Sequence, residues 1–312
     1  MKASVPIYVG KIGILCLLIS LTDLVWPQTE RPQFSIEPLI QWNTMELVST
    51  VKLDMGSAGL RLPTGRAHGE ELLSIEFPRI VAPFLFSVPV DSSTTIETTI
   101  QQGQLSMLDI DILVENANKS TAVLDLSRNS LNRTISIPLT GMASLLVRHQ
   151  VPSTLPRLLI PQAVKDYTGI IIFAQDPLPI HGRQSTARLN PCLFPKIWDS
   201  DMNLIFERNM VLPEIAKNRG IVRYTSSDRV LLPTPSGLAQ ELHELVGDRP
   251  LRILADKVFG KLPTDPVISK ADAQTLLSSE NNRRLLQEGR VVIVIDKSLL
   301  VQNFTVPKDS LP

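Results

Sequence analysis

The residue types able to do chemistry are few in this chain, and their spacing is informative mainly by what it fails to complete. Asp199-x-Asp201-x-Asn203 supplies the first three ligand positions of a calcium loop, in which alternating side-chain oxygens converge on a hard cation. The sixth position of such a loop needs a Gly for its sharp turn and here holds Leu204. The twelfth needs a bidentate Glu and here holds Met210. A polar hairpin turn is predicted instead. His243-Glu244 begins like a zinc-protease helix, but the second histidine of that spacing would fall on Gly247. No phosphate-binding glycine loop, nucleophile elbow or dinucleotide fingerprint occurs. His68, His149, His181 and His243 are scattered, so an acid–base site drawn from Asp176, His181, Asp199 and Asp201 would have to be assembled by folding. No catalytic, cofactor-binding or metal-ligating residue is therefore assigned, no cofactor is expected, and the protein is not expected to be an enzyme.

The two cysteines point the same way. Cys192, between Pro191 and Pro195 in an apolar NPCLFP stretch, has the surroundings of a buried small hydrophobe and no base beside it. Cys16 lies inside an N-terminal targeting pattern. Lys2 and Lys11 precede an apolar run from Ile12 to Leu21, closed by Asp23. That run is short of the ~20 apolar residues of a membrane span. Residues 1–28 are read as a signal peptide, with a cut after Thr22 or near Gln28, or as an N-terminal anchor if the apolar stretch reaches back to Val5. Leu15 stands where a lipid-attachment site wants a small residue before its cysteine, so Cys16 is read as one more hydrophobe. An exported protein, periplasmic or associated with the outer membrane, is expected. Once the signal is removed, Cys192 has no partner for a disulfide.

Composition bounds the partners. The chain has 31 basic and 31 acidic residues, so no basic excess exists to neutralise phosphates, and nucleic acid is excluded as an expected partner. Pro152, Pro156 and Pro161 forbid a continuous helix and mark residues 149–163 as an extended connector. The chain divides there into an α+β domain over 40–148 and a second α/β domain over 164–300, followed by a flexible tail over 301–312. The fold class is α+β.

Within the first domain, Met45, Leu47, Val51 and Leu53 alternate with polar residues and predict a half-buried strand over 44–54. A helix opening at Thr64 carries Ala67, Leu72, Leu73 and Phe77, and Pro78 and Pro83 should bend or break it. Thr94 with Glu97 has the spacing of a capping box. A second helix is expected over 105–116, and strands over 122–126 and 133–139. In the second domain, Tyr167–Phe173 is a buried strand, and Lys196–Trp198 and Leu204–Phe206 flank the hairpin. A short helix over 213–218 stops at Gly220, and a strand over 221–224 follows. Ser269 with Asp272 starts a helix whose apolar face is Leu276, Leu277, Leu285 and Leu286. Gly289 ends it, and Val291–Asp296 is the strongest strand in the sequence.

Several of these stretches together resemble bacterial envelope proteins of the flagellar basal-disk lipoprotein type (FlgP-like). They are Thr168-Gly169-Ile170-Ile171-Ile172, Pro195-Lys196-Ile197-Trp198-Asp199-Ser200-Asp201, Gly220-Ile221-Val222-Arg223-Tyr224, the Thr264–Ala273 stretch and Gly289–Asp296. Gly65-Arg66-Ala67 and Val90–Ile100 follow the same order in the first domain. The similarity departs at Ala174–Gly182, where that family has a Gly-rich turn, and in the missing lipid-bearing cysteine. The resemblance implies a non-catalytic structural or assembly protein of the periplasm or outer envelope, self-associating or bound to envelope or flagellar-motor proteins; membrane association through the N-terminus is expected if the apolar segment is kept as an anchor. A periplasmic ligand- or peptidoglycan-binding module is the alternative. The matched residues carry structural roles, with Gly169 and Gly220 allowing close packing or unusual dihedrals.

Overall fold

The computed structural model describes residues 33–232 and 237–304. The predicted signal or anchor over 1–28, residues 233–236 and residues 305–312 lie outside the described residues. Among those described, eight helices and fifteen strands form two α+β domains.

The first domain runs β1 (Phe34–Gln41), β2 (Glu46–Asp54), α1 (Gly65–Phe86), α2 (Ile96–Gln101), α3 (Met107–Glu115), β3 (Asn118–Lys119), β4 (Val123–Leu124), β5 (Ser130–Pro138) and α4 (Leu139–Leu146). β1, β2 and β5 are antiparallel neighbours. Buried residues alternate with more exposed ones along β1 and β2, the pattern of a sheet covered on one face. β1 begins before the expected domain start at 40. Pro78 and Pro83 do not break α1, which continues to Phe86. Each interior proline costs about 3 kcal/mol. Leu73, Phe77, Ile80, Val81 and Leu85 are all buried along the helix, at about 1.5–3 kcal/mol each, so burial outweighs the two lost hydrogen bonds. The capping box at the next helix belongs to Thr95 and Thr98, one residue beyond the Thr94 expected from spacing.

The second domain comprises β6 (Ile170–Phe173), β7 (Leu178–Pro179), β8 (Thr186–Ala187), β9 (Ile197–Asp199), β10 (Leu204–Phe206), α5 (Pro213–Asn218), β11 (Arg223–Thr225), α6 (Gln240–Val246), β12 (Leu251–Phe259), β13 (Asp265–Ile268), α7 (Lys270–Ser278), α8 (Glu280–Gln287) and β14 (Val291–Val294). Its main sheet has the order β10-β9-β13-β12-β6-β14-β11, in which β12, β6, β14 and β11 run parallel. Ile171, Val292 and Val294 pack on Leu242, Leu245 and Val246 of α6. Ile170, Ile172, Val291 and Ile293 join the larger core with Leu276, Leu285 and Leu286. Both faces of these strands are covered, and that is why they read as unbroken apolar runs. The approach is tight at Gly169, where a Cβ would stand 2.3 Å from Val246 Cβ. The single helix expected from Ser269 to Gly289 is two helices. It breaks at Ser279, whose extended backbone ends α7 and whose hydroxyl accepts the Asn282 N–H to start α8.

Residues 147–169 contain no helix or strand. Asn282, fully buried, holds this connector. Its side-chain amide donates to the carbonyls of Lys165 (3.1 Å) and Thr275 (3.2 Å), and its Oδ1 accepts the Tyr167 N–H at 3.0 Å.

The segment after residue 300 is not simply a tail. Val301–Asn303 forms β15, which pairs antiparallel with β1 of the first domain. Its unpaired alternative would leave the β1 edge open. Further ties join the domains: Trp42 N–H donates to Leu300 O (2.9 Å), Leu193 N–H to Pro89 O (3.0 Å), Phe194 N–H to Val90 O (2.8 Å) and Leu262 N–H to Ser92 O (2.9 Å). Trp42 meets Tyr224 edge-on at 6.0 Å. The larger cluster of buried side chains is continuous across both domains, and only the layer between α6 and the sheet stands apart from it.

Candidate functional site

A cleft of about 600 Å3 opens between the domains at the C-terminal end of β11. In parallel sheets the strand ends leave backbone and loops free to form a site. The sequence builds it simply. Alternation along β11 sends Tyr224 inward to Trp42, while Arg223 reaches across to the β1–β2 turn and donates from Nη1 to Asn43 O at 3.0 Å. After β11, the Ser226 hydroxyl donates to Asp228 Oδ1, and Asp228 Oδ2 takes Lys297 Nζ at 2.9 Å. Lys297 stands in the short turn after β14, so neighbouring parallel strands supply the two halves of this ion pair. Arg229 pairs with Glu241 of α6. Thr44 and Val301 complete the wall from the first domain's sheet.

The electrostatics favour ionised, paired groups. The Ser226 hydroxyl, and then Lys297, hold the Asp228 carboxyl below the ordinary carboxylate value. Arg229 does the same for Glu241. Ser226 and Asp228 superficially resemble a nucleophile and its base, but a working general base has a pKa near the operating pH. A carboxylate held below its usual range would be a weak base there. The cleft is suited to exchanging its internal ion pairs and amide contacts for those of a polar partner.

The residues considered from sequence lie elsewhere. Asp199 is buried and accepts three hydrogen bonds, from Asp201 N–H (3.0 Å), Asn203 N–H (2.8 Å) and Asn203 Nδ2 (2.8 Å), so it organises the β9–β10 hairpin turn. Asp201 pairs with Lys270 at 2.6 Å. Asp176 is exposed, and His181 lies edge-on to Phe259 at 6.1 Å. No hydrogen bond or ion pair among the described residues joins these two to Asp199 or Asp201. No group of three potential metal ligands exists among the described residues. His243 pairs with Asp248 at 2.6 Å. Sequence reasoning passed over the cleft because Arg223, Asp228, Glu241 and Lys297 fall in four separate elements with no shared spacing.

Behind the cleft lies a buried polar cluster. The Tyr224 hydroxyl accepts the Cys192 N–H and donates to its carbonyl, both at 3.1 Å. Burial pushes the Cys192 thiol up, which makes it inert as a nucleophile. Asp265 accepts hydrogen bonds from Lys196 N–H (3.1 Å), Trp198 Nε1–H (3.2 Å) and the Thr264 hydroxyl (3.1 Å). Burial still raises its carboxyl above the ordinary value, and those donors offset it only in part.

The fold and the cleft define a two-domain α+β protein whose domains share one core and one interdomain recess. Residues 33–145 match the family model of the N-terminal domain of Treponema pallidum Tp0624, and residues 169–297 match the model of its second domain. Both domains thus correspond, in the same order, to those of a bacterial family of unknown function, and neither model is a flagellar one. No curated protein matches the chain.

Proposed function

We propose that this protein acts by binding and assembly in the cell envelope, as a rigid two-domain scaffold whose interdomain cleft receives a polar segment of a partner. The observation that carries this is the cleft itself: both domains wall it, and its ion pairs are drawn from the turn after β11, α6 and the turn after β14. Export is supported by the basic and apolar pattern over residues 1–28. An association with the flagellar motor rests on the motif resemblance alone, chiefly its stretches from Thr168 to Asp296. A photo-crosslinking side chain at Thr44 tests the scaffold role in envelope preparations. A discrete protein adduct that disappears with Arg223→Glu, while the melting transition is kept, supports it. A wild-type hydrolytic or transferase turnover abolished by Ser226→Ala or Asp228→Asn would overturn it.

A second role is favoured by the volume of the cleft, which lies in the range of ligand sites. In that case the occupant is an envelope ligand such as a peptidoglycan fragment. Co-sedimentation with purified sacculi, lost on Arg223→Glu, would favour it over a protein partner.

A further inference from the structure

A second recess, of about 380 Å3, lies between the connector and α8 and shares no lining residue with the interdomain cleft. Arg157, Arg283 and Arg284 line it with Thr154 and Asn281, against a single lining acid, Glu280. Arg157 is exposed and makes no hydrogen bond or ion pair among the described residues. Arg283 donates to Leu277 O at 2.5 Å, and Arg284 donates to Asn281 Oδ1 at 3.1 Å and stands with its Nε 3.6 Å from Glu288 Oε1, so both side chains are tethered where they line the recess. The adjoining connector presents Leu159 at 102% and Ile160 at 84% exposure, neighbours in sequence that bury almost nothing. The connector does not float. Gln162 N–H donates to Ser278 Oγ at 3.2 Å, and Asn282 clamps residues 165 and 167, so the apolar pair is held out on a fixed base beside the arginines.

We propose that this face docks on an anionic membrane surface. Lipid phosphates occupy the arginine recess, and Leu159 and Ile160 enter the boundary between headgroups and acyl chains. The charge of the recess complements an anionic headgroup, for which Arg offers forked donors. The apolar pair protrudes from an extended segment and needs no shaped pocket, which suits a bilayer better than a protein partner. This interaction is independent of what fills the interdomain cleft.

The full-length protein carrying Cys16→Ser and Leu159→Cys, labelled with a polarity-sensitive dye, tests it, because buried Cys192 will not react. Vesicles containing phosphatidylglycerol should blue-shift and brighten the dye, whereas phosphatidylcholine vesicles or inorganic phosphate alone should not. Adding Arg157→Glu and Arg284→Glu should weaken the dye response by more than tenfold, on the basis of about fivefold for each basic group near an anionic surface. Arg157→Gln with Arg284→Gln replaces the reversal if that variant loses the wild-type melting transition. A dye that keeps its emission in water while the protein pellets with anionic vesicles through its N-terminal segment would overturn the proposal. So would an equal response to inorganic phosphate, or one undiminished by the arginine variants.

Discussion

Replacing Asn282 with alanine should destabilise the protein by about 3 kcal/mol, and the figure follows from what the side chain touches. The substitution deletes two hydrogen bonds to the carbonyls of Lys165 and Thr275 and one from the Tyr167 N–H. Each is worth ~0.5–1.5 kcal/mol net, and a buried group left without a partner costs ~1–3 kcal/mol. The position is 0% exposed, so water replaces the lost amide poorly. Asn282→Asp separates this from a generic core defect. A carboxylate keeps the acceptor for Tyr167 but turns a negative oxygen toward two carbonyls, so at neutral pH aspartate should cost more than alanine. Urea denaturation of the three proteins supplies the free energies, and hydrogen exchange at the Tyr167 amide supplies the local readout. That amide should be protected in the wild type and exchange rapidly in the alanine variant. A loss below ~1 kcal/mol with alanine, or an aspartate variant milder than the alanine one, would show that water reaches the site and that the connector is held by something else.

Gly169→Ala should cost ~3 kcal/mol or more by thermal melting, since the new methyl would sit 2.3 Å from Val246 Cβ and 2.5 Å from its Cα. Gly59→Ala, at a φ of +65 with open space around it, should cost only ~1 kcal/mol for its backbone strain. Val292→Asp should prevent folding, read as loss of the cooperative melting transition, because it buries an unpaired carboxylate between both layers of the second domain at a cost of several kcal/mol. Asp265 has a folded pKa raised above its unfolded value of 3.8, so its contribution is fully present below that value and is lost as pH rises through the folded pKa. The stability advantage of the wild type over Asp265→Asn, measured by denaturation from pH 3 upward, should therefore shrink through that window. An advantage that grows with pH would reverse the sign.

The central strands were legible because burial on both faces leaves nothing but apolar residues, as at Ile170–Ile172 and Val291–Val294. Elements that depend on distant partners were not. Asn282 sits in the run Glu280-Asn281-Asn282-Arg283-Arg284, whose composition suggests a solvated face, and only the returning connector makes its amide indispensable. Pro78 and Pro83 signalled a break that tertiary burial overrode. β1 shows alternation at Phe34, Ile36 and Ile40, but Pro38 interrupts it. β15 is three residues long and exists only because β1 offers it an edge. The candidate cleft was invisible for a related reason: its ion pairs join residues 12 to 69 positions apart.

The pairing of β15 with β1 also has a mechanical consequence. Phe304 N–H donates to Pro38 O at 3.2 Å, and the antiparallel register sets Asn303 opposite Leu39. The outward ends of the two strands therefore leave the sheet in the same direction. Tension applied between residues 33 and 304 would load the ladder one rung at a time, as in opening a zip, and would not shear all its rungs at once. Three residue pairs oppose that load, together with the Phe304–Pro38 and Trp42–Leu300 hydrogen bonds at the two ends of the ladder. Under pull the β15–β1 clasp should yield at low force while the buried parallel strands stay closed, so that stretching would uncover the β1 edge well before either domain unfolds.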